Sequence, residues 1–256
     1  MEKIFLASIA LEKNKWAEGK IPSYKVSDFI HRVKNDGFYG IELWENHYML
    51  ADREEQKKLE NADVKYIFNS YLSLKDGLTD DLRKIADAIC RLGAAAVKYN
   101  FSLKNANTES EYDKDDFTNQ IDTLLKFAEL LPNNVKLLCE CHANTIMEEP
   151  EIAGRVFEGL DERFGAIIHL SAEKSLMENC FKYYGNRILH IHTAYTGEMN
   201  EFEPLKNGDK KLRSNMEYFK THGFSGSCSV EFVKEEDSAE NYYKNALKDL
   251  EYLKNL

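Results

Sequence analysis

Short runs of apolar, β-branched or aromatic residues alternate with longer amphipathic segments along the chain, the pattern of repeated strand-helix units. The runs predict strands over Ile4 to Ile9, Gly40 to Trp44, Lys65 to Ser70, Ala95 to Asn100, Lys136 to Glu140, Ala166 to His169, Ile188 to His192 and Ser227 to Glu231. Between and after them, helical periodicity covers Val26 to Lys34, Arg53 to Ala62, Asp80 to Leu92, Tyr112 to Leu131, Glu149 to Leu160, Ser175 to Tyr184, Lys210 to His222 and Ser238 to Leu253. Eight such units in 256 residues match the count and ordinary length of a (β/α)8 TIM barrel in the α/β class. An open doubly wound sheet is the competing architecture. It calls for a Gly-rich phosphate turn after the first strand, and no G-x-G-x-x-G follows Ile9 or occurs elsewhere. No linker, low-complexity stretch or fixed-period repeat divides the chain, so residues 1–256 read as one domain.

Composition narrows the partners. The net charge of −10 disfavours a nucleic-acid backbone as the main ligand, because that affinity comes from clustered Lys and Arg. The apolar run Ile4 to Leu11 is far below the ~20 residues of a membrane span, lacks a cleavage site and reads as a strand, so no membrane association is expected. Five cysteines, at 90, 139, 141, 180 and 228, form an odd set without zinc-knuckle spacing, which fits a reducing cytoplasm. They read as small buried hydrophobes. The acidic stretch Glu109 to Asp116 reads as a solvated loop leading into a helix.

In a barrel, chemistry gathers at the C-terminal ends of the strands. Four consecutive predicted strands end there in a carboxylate or an imidazole: Glu140 with His142, His169, His190 with His192, and Glu231. Alternation puts Glu140, His142, His169, His190, His192, Ser229 and Glu231 toward the barrel axis, and Cys139, Cys141, Ile168, Leu170, Ile191, Val230 and Phe232 toward the helices. Inward carboxylates need partners, and two Glu with two His around a divalent cation satisfy one another. A satisfied polar network at the rim is the plainer alternative. His142 or His190 taken singly reads as a hydrogen-bonded core histidine. Trp16, Trp44, Tyr99 with Lys98 and Asn100, and Tyr195 offer a pocket an aromatic floor, or else pack under long loops.

Segments along the chain resemble the xylose isomerase-like barrel superfamily of sugar and sugar-phosphate isomerases and epimerases. They are Gly37 to Trp44 (Gly-Phe-Tyr-Gly-Ile-Glu-Leu-Trp), Leu92 to Val97 (Leu-Gly-Ala-Ala-Ala-Val), Leu137 to Thr145 (Leu-Leu-Cys-Glu-Cys-His-Ala-Asn-Thr), Arg187 to His192 (Arg-Ile-Leu-His-Ile-His) and Gly223 to Glu231 (Gly-Phe-Ser-Gly-Ser-Cys-Ser-Val-Glu). The resemblance implies one divalent cation, Mn, Zn or Co, held by Glu140, His169, His192 and Glu231. It also implies a small carbohydrate substrate, with His142, Trp16, Trp44, Lys98 and Tyr195 around it. Glu140 and Glu231 then act as a catalytic acid/base pair on opposite faces of the carbon α to a carbonyl, through an enediolate steadied by the cation.

Four departures from the family pattern stand out. His169 replaces the usual strand-six aspartate, which removes one negative charge and favours borderline over hard cations. Ala172 stands where a histidine often follows, and Ile146 where a second glutamate is common. No arginine lies between Thr193 and Leu205 to meet a phosphate. A barrel that has lost its chemistry and serves as a binding protein, or a metal-dependent lyase or dehydratase, therefore stays open, as does assembly into a homo-oligomer. The superfamily's abasic-site endonucleases need more histidines, and Asn69, Ser70 and Asn100 stand where those would be.

Overall fold

The computed structural model describes residues 1–101, 114–141, 143 and 145–256. Eight parallel strands pair in sequence order and close into a barrel: β1 (Ile4–Ala7), β2 (Gly40–Trp44), β3 (Lys65–Asn69), β4 (Ala96–Tyr99), β5 (Lys136–Glu140), β6 (Phe164–His169), β7 (Ile188–Thr193) and β8 (Ser227–Val230). The seam is β1 on β8, with Ile4 opposite Cys228 and Leu6 opposite Val230.

The surrounding helices are α1 (Ile30–Asn35), α2 (Glu45–Met49), α3 (Arg53–Glu60), α4 (Asp80–Leu92), α5 (Lys114–Glu129), α6 (Pro150–Glu158), α7 (Lys174–Tyr184), α8 (Asp209–Thr221) and α9 (Ala239–Lys254). Local sequence fixes several ends. Thr79, Asp52 and Ser238 cap α4, α3 and α9 by accepting the N–H of Leu82, Glu55 and Asn241. Gly93 stops α4 in the left-handed region at φ 58°.

The predicted units are present, with shorter strands at the mouth. β1 ends at Ala7 because a buried 3-10 turn, Ser8–Leu11, takes over. The predicted first helix is split into a 3-10 turn, Val26–Asp28, and α1. The short helix α2 directly after β2 was not anticipated. The acidic stretch from Glu109 falls largely outside the described residues, as does the predicted start of the fourth helical segment at Tyr112.

Two cores result from strand alternation. The larger lies between barrel and helices and takes Ile41, Leu43, Tyr66, Phe68, Val97, Tyr99, Leu137, Cys139, Ile168, Ile191, Cys228 and Val230. The smaller plugs the barrel axis with Phe5, Ile67, Ala96, Leu138 and Ile167, flanked by Leu189. Gly40 lets this plug close, since a Cβ there would sit 2.2 Å from the Lys65 carbonyl oxygen and 2.8 Å from the Phe5 ring. Above the plug the axis turns polar. A register slip between Ala166 and Ile167 brings β6 into step with β7, so that Ile167 faces His190 and His169 faces His192.

Tyr99 and Phe232 depart from the expected placement. Tyr99 is fully buried on the helix side. Phe232 lies beyond the end of β8, where alternation no longer applies, and packs at the mouth with Ala7, Ile9 and Trp44.

Candidate metal centre

The C-terminal strand ends deliver Glu140, His169 and His192 directly, and Glu231 follows β8 by one residue. Each of the four offers one ligand atom lying within 4.8 Å of the others. Glu140, His192 and Glu231 are buried, and His169 keeps 34% of its side chain exposed toward the mouth. His192 stands at the centre. Its Nδ1 lies 3.2 Å from Glu140 Oε1 and 3.1 Å from Glu231 Oε1. Glu140 Oε1 also meets His169 Nε2 at 3.1 Å, and the two imidazole rings are edge to face at 5.5 Å.

A further layer holds these groups from beneath. Glu42, on β2, is completely buried and takes His192 Nε2 at 3.2 Å and the Asn69 amide at 2.7 Å on the same oxygen. Glu42 on Nε2 turns Nδ1 toward the strand-end carboxylates: protonated, Nδ1 donates to them, and deprotonated its lone pair would serve a cation, the usual arrangement of a carboxylate behind a ligating histidine. His190 is occupied otherwise, by Ser227 Oγ at 2.7 Å on Nδ1 and Ser229 Oγ at 2.8 Å on Nε2. Lys98 Nζ lies 2.8 Å from Glu140 Oε2, and the Asn100 amide donates to that oxygen at 3.3 Å.

Charge and hydrogen bonding both leave room for a cation. Among the described residues, three buried carboxylates, Glu42, Glu140 and Glu231, gather near one buried ammonium, Lys98, an excess of acidic groups that suits a cation. Among the described residues, Glu231 Oε2 is buried without a hydrogen-bond partner, and His169 Nδ1 lies 3.9 Å from it. Burial opposes charge on His192, yet Glu231 and Glu42 hold its imidazole well above the ordinary range. Burial likewise opposes ionisation of Glu140, but Lys98, His169 and His192 keep its carboxyl well below the usual value. Two carboxylate oxygens and two imidazole nitrogens form a donor set suited to Zn, Mn or Co.

No family model matches the chain, and no curated protein matches it in sequence. Solved structures do match. The D-allulose 3-epimerase from Methylomonas sp. in complex with D-allulose superposes with a TM-score of 0.72 at 14% identity, covering 99% of this chain and 96% of that one. The IOLI protein with a binding zinc atom gives a TM-score of 0.67 at 14% identity, with 97% and 96% covered. A xylose isomerase-like TIM barrel/4-hydroxyphenylpyruvate dioxygenase fusion protein gives 0.64 at 14% identity, covering 98% of this chain and 41% of that one. The fold is that of the xylose isomerase-like TIM barrels.

Within this barrel, the other expected site residues have distinct positions. Trp16 is 66% exposed at the mouth, its ring 5.6 Å from Phe232, which in turn stacks on Phe202 at 4.7 Å. Trp44 is fully buried beneath them, edge on to His47 and Tyr71. Lys98 is engaged with Glu140, and Tyr195 lays its ring against Gly208. His142 lies outside the described residues. Cys139 is buried, and burial pushes its thiol well above the usual range, whereas Cys141 is only half-buried. Among the described residues, no helix is long and apolar enough to cross a membrane.

Proposed function

We propose that this barrel is a metal-dependent isomerase or epimerase of a sugar or sugar phosphate, moving a proton on the carbon α to a carbonyl. The convergence of Glu140, His169, His192 and Glu231 at the axial mouth, with one buried carboxylate oxygen of Glu231 unpartnered, carries this reading. The likeness of fold to sugar epimerases and to a zinc-holding barrel supports it.

Glu140, His169, His192 and Glu231 would hold the cation, which supplies a Lewis acid for the carbonyl oxygen and an adjacent hydroxyl. Glu42 keeps His192 in the tautomer that presents Nδ1. Glu140 and Glu231, the expected acid/base pair, would remove and return the α-proton. Trp16, Phe232 and Phe202 form an aromatic wall suited to the C–H face of a sugar. The partner is thus a small carbohydrate, and the chemistry needs neither nucleic acid nor membrane.

Metal analysis on protein purified without chelator, followed by a proton-exchange screen in heavy water against free and phosphorylated ketoses, tests the reading. About one divalent cation per chain and metal-dependent deuterium uptake at a carbon next to the carbonyl are expected. Stoichiometric metal without exchange on any ketose would identify a binding barrel instead.

A further inference from the structure

The two carboxylates expected to form a symmetric acid/base pair are not equivalent. All the accepting capacity of Glu140 is in use. Its Oε1 faces His169 and His192, and its Oε2 is covered by the Lys98 ammonium at 2.8 Å and the Asn100 amide at 3.3 Å. Lys98 cannot readily swing away. Its side chain is 7% exposed, the ring of Tyr71 lies 5.7 Å from its Nζ, and leaving Glu140 would put an unpaired ammonium in the barrel. Glu231 differs at the corresponding atom: Oε1 faces His192, and Oε2 is buried with no partner. A general base needs a free oxygen within reach of the proton it removes.

We infer that Glu231 alone carries the proton, with Glu140 locked by Lys98 and Asn100 as a ligand only, so that chemistry is confined to one face of the substrate. This rests on the reading of the site as a metal-dependent proton-transfer centre. Epimerisation with one group on each face is then closed, and aldose–ketose isomerisation is the reaction that one carboxylate completes. In that step Glu231 Oε2 takes the C2 proton of the aldose. The C2–H electron pair becomes the C1–C2 double bond, and the carbonyl π pair moves onto O1. The 2-hydroxyl proton then passes to O1 as the C2 carbonyl forms, and the C1–C2 pair takes back the proton from Glu231 at C1. Atoms and electrons balance with no co-reactant. Lys98 is a positioning residue, acting through Glu140.

The test uses the parent, Glu140→Gln, Glu231→Gln, Lys98→Met and Lys98→Arg, each titrated with Mn²⁺ by calorimetry and then incubated in heavy water with pentuloses and hexuloses. Proton NMR reads which hydrogens at C1 and C3 are replaced. The parent should exchange one of the two C1 hydrogens and leave C3 untouched. Glu231→Gln should bind Mn²⁺ yet lose that exchange roughly 10²- to 10⁴-fold. Glu140→Gln should bind Mn²⁺ more weakly but keep one-faced exchange when saturated. Lys98→Met should bind Mn²⁺ more tightly, having lost a competing cation, and should begin to exchange the second C1 hydrogen as Glu140 Oε2 is uncovered. Lys98→Arg, which keeps the charge, should behave as the parent. Exchange of both C1 hydrogens or of C3 by the parent, or equal loss in the two saturated Gln variants, overturns the assignment while leaving metal-dependent chemistry in place. A parent that neither binds Mn²⁺ nor exchanges any hydrogen overturns the functional reading itself, and this assignment with it.

Discussion

At the scale of single residues, the proposed metal centre depends on side chains that would not touch the cation. Glu42 is the clearest case, because its hydrogen bond to His192 Nε2 decides which imidazole nitrogen faces the ligands. Glu42→Gln removes a buried negative charge and leaves an amide that reads either tautomer equally well. Calorimetric titration with Zn²⁺ or Mn²⁺ should show affinity falling about 10- to 100-fold, the usual consequence of losing such a supporting carboxylate. An unchanged affinity would make Glu42 a packing group only. The strand-end candidates were legible in the sequence, since a carboxylate or imidazole closing four successive strands is a local pattern. Glu42 was not, because alternation shows that Glu42 and Trp44 share a face without saying which face that is. The Lys98 ammonium and Glu140 are partners from neighbouring strands, and nothing near either residue announces the other.

At the scale of elements, the turn that ends β1 is as informative as the strands. Ser8, Glu12 and His47 form a buried relay between this turn and α2: Ser8 Oγ meets His47 Nδ1 at 2.9 Å, and His47 Nε2 meets Glu12 Oε2 at 3.2 Å. Glu12 also accepts the backbone N–H groups of Asn14 and Ser23. Burial raises the Glu12 carboxyl, but His47, Ser23 and Asn14 together bring it from 4.5 down to about 2. A carboxyl depressed in the folded state stabilises the protein above its unfolded value, and the contribution is lost as pH falls through the folded one. Glu12→Gln should therefore cost about 3 kcal/mol at pH 7. In urea unfolding, the gap between parent and variant should close as pH falls from 4.5 toward about 2. A gap independent of pH would mean that packing, and not charge, is what the substitution removes. Periodicity could not foresee this relay, because it marks where a strand starts more clearly than where the chain leaves the ladder. The helix α2 escaped notice for a related reason, being too short to develop a pattern.

At the scale of the whole molecule, a bound cation should stabilise every part of a barrel whose strands all pair with their sequence neighbours. Held at a hundredfold excess over its dissociation constant, the metal contributes about 2.7 kcal/mol, and chelation should lower the melting temperature by several degrees. A melting curve indifferent to chelator would place the cation outside the folded centre. The closed order of strands has a further consequence, for assembly. All four proposed ligands come from β5 onward, and the last of them, Glu231, directly follows β8, the strand that seals the barrel against β1. The residues that govern their charge, Glu42 and Lys98, are on strands that precede them in the chain. As the polypeptide emerges from the ribosome, the ammonium and the supporting carboxylate therefore exist before any ligand does, and the ligand set is complete only when the seam can form. On the proposed function, a growing chain would be spared from trapping metal in a half-built pocket, and metal uptake would serve as a clock for the final closing step of folding.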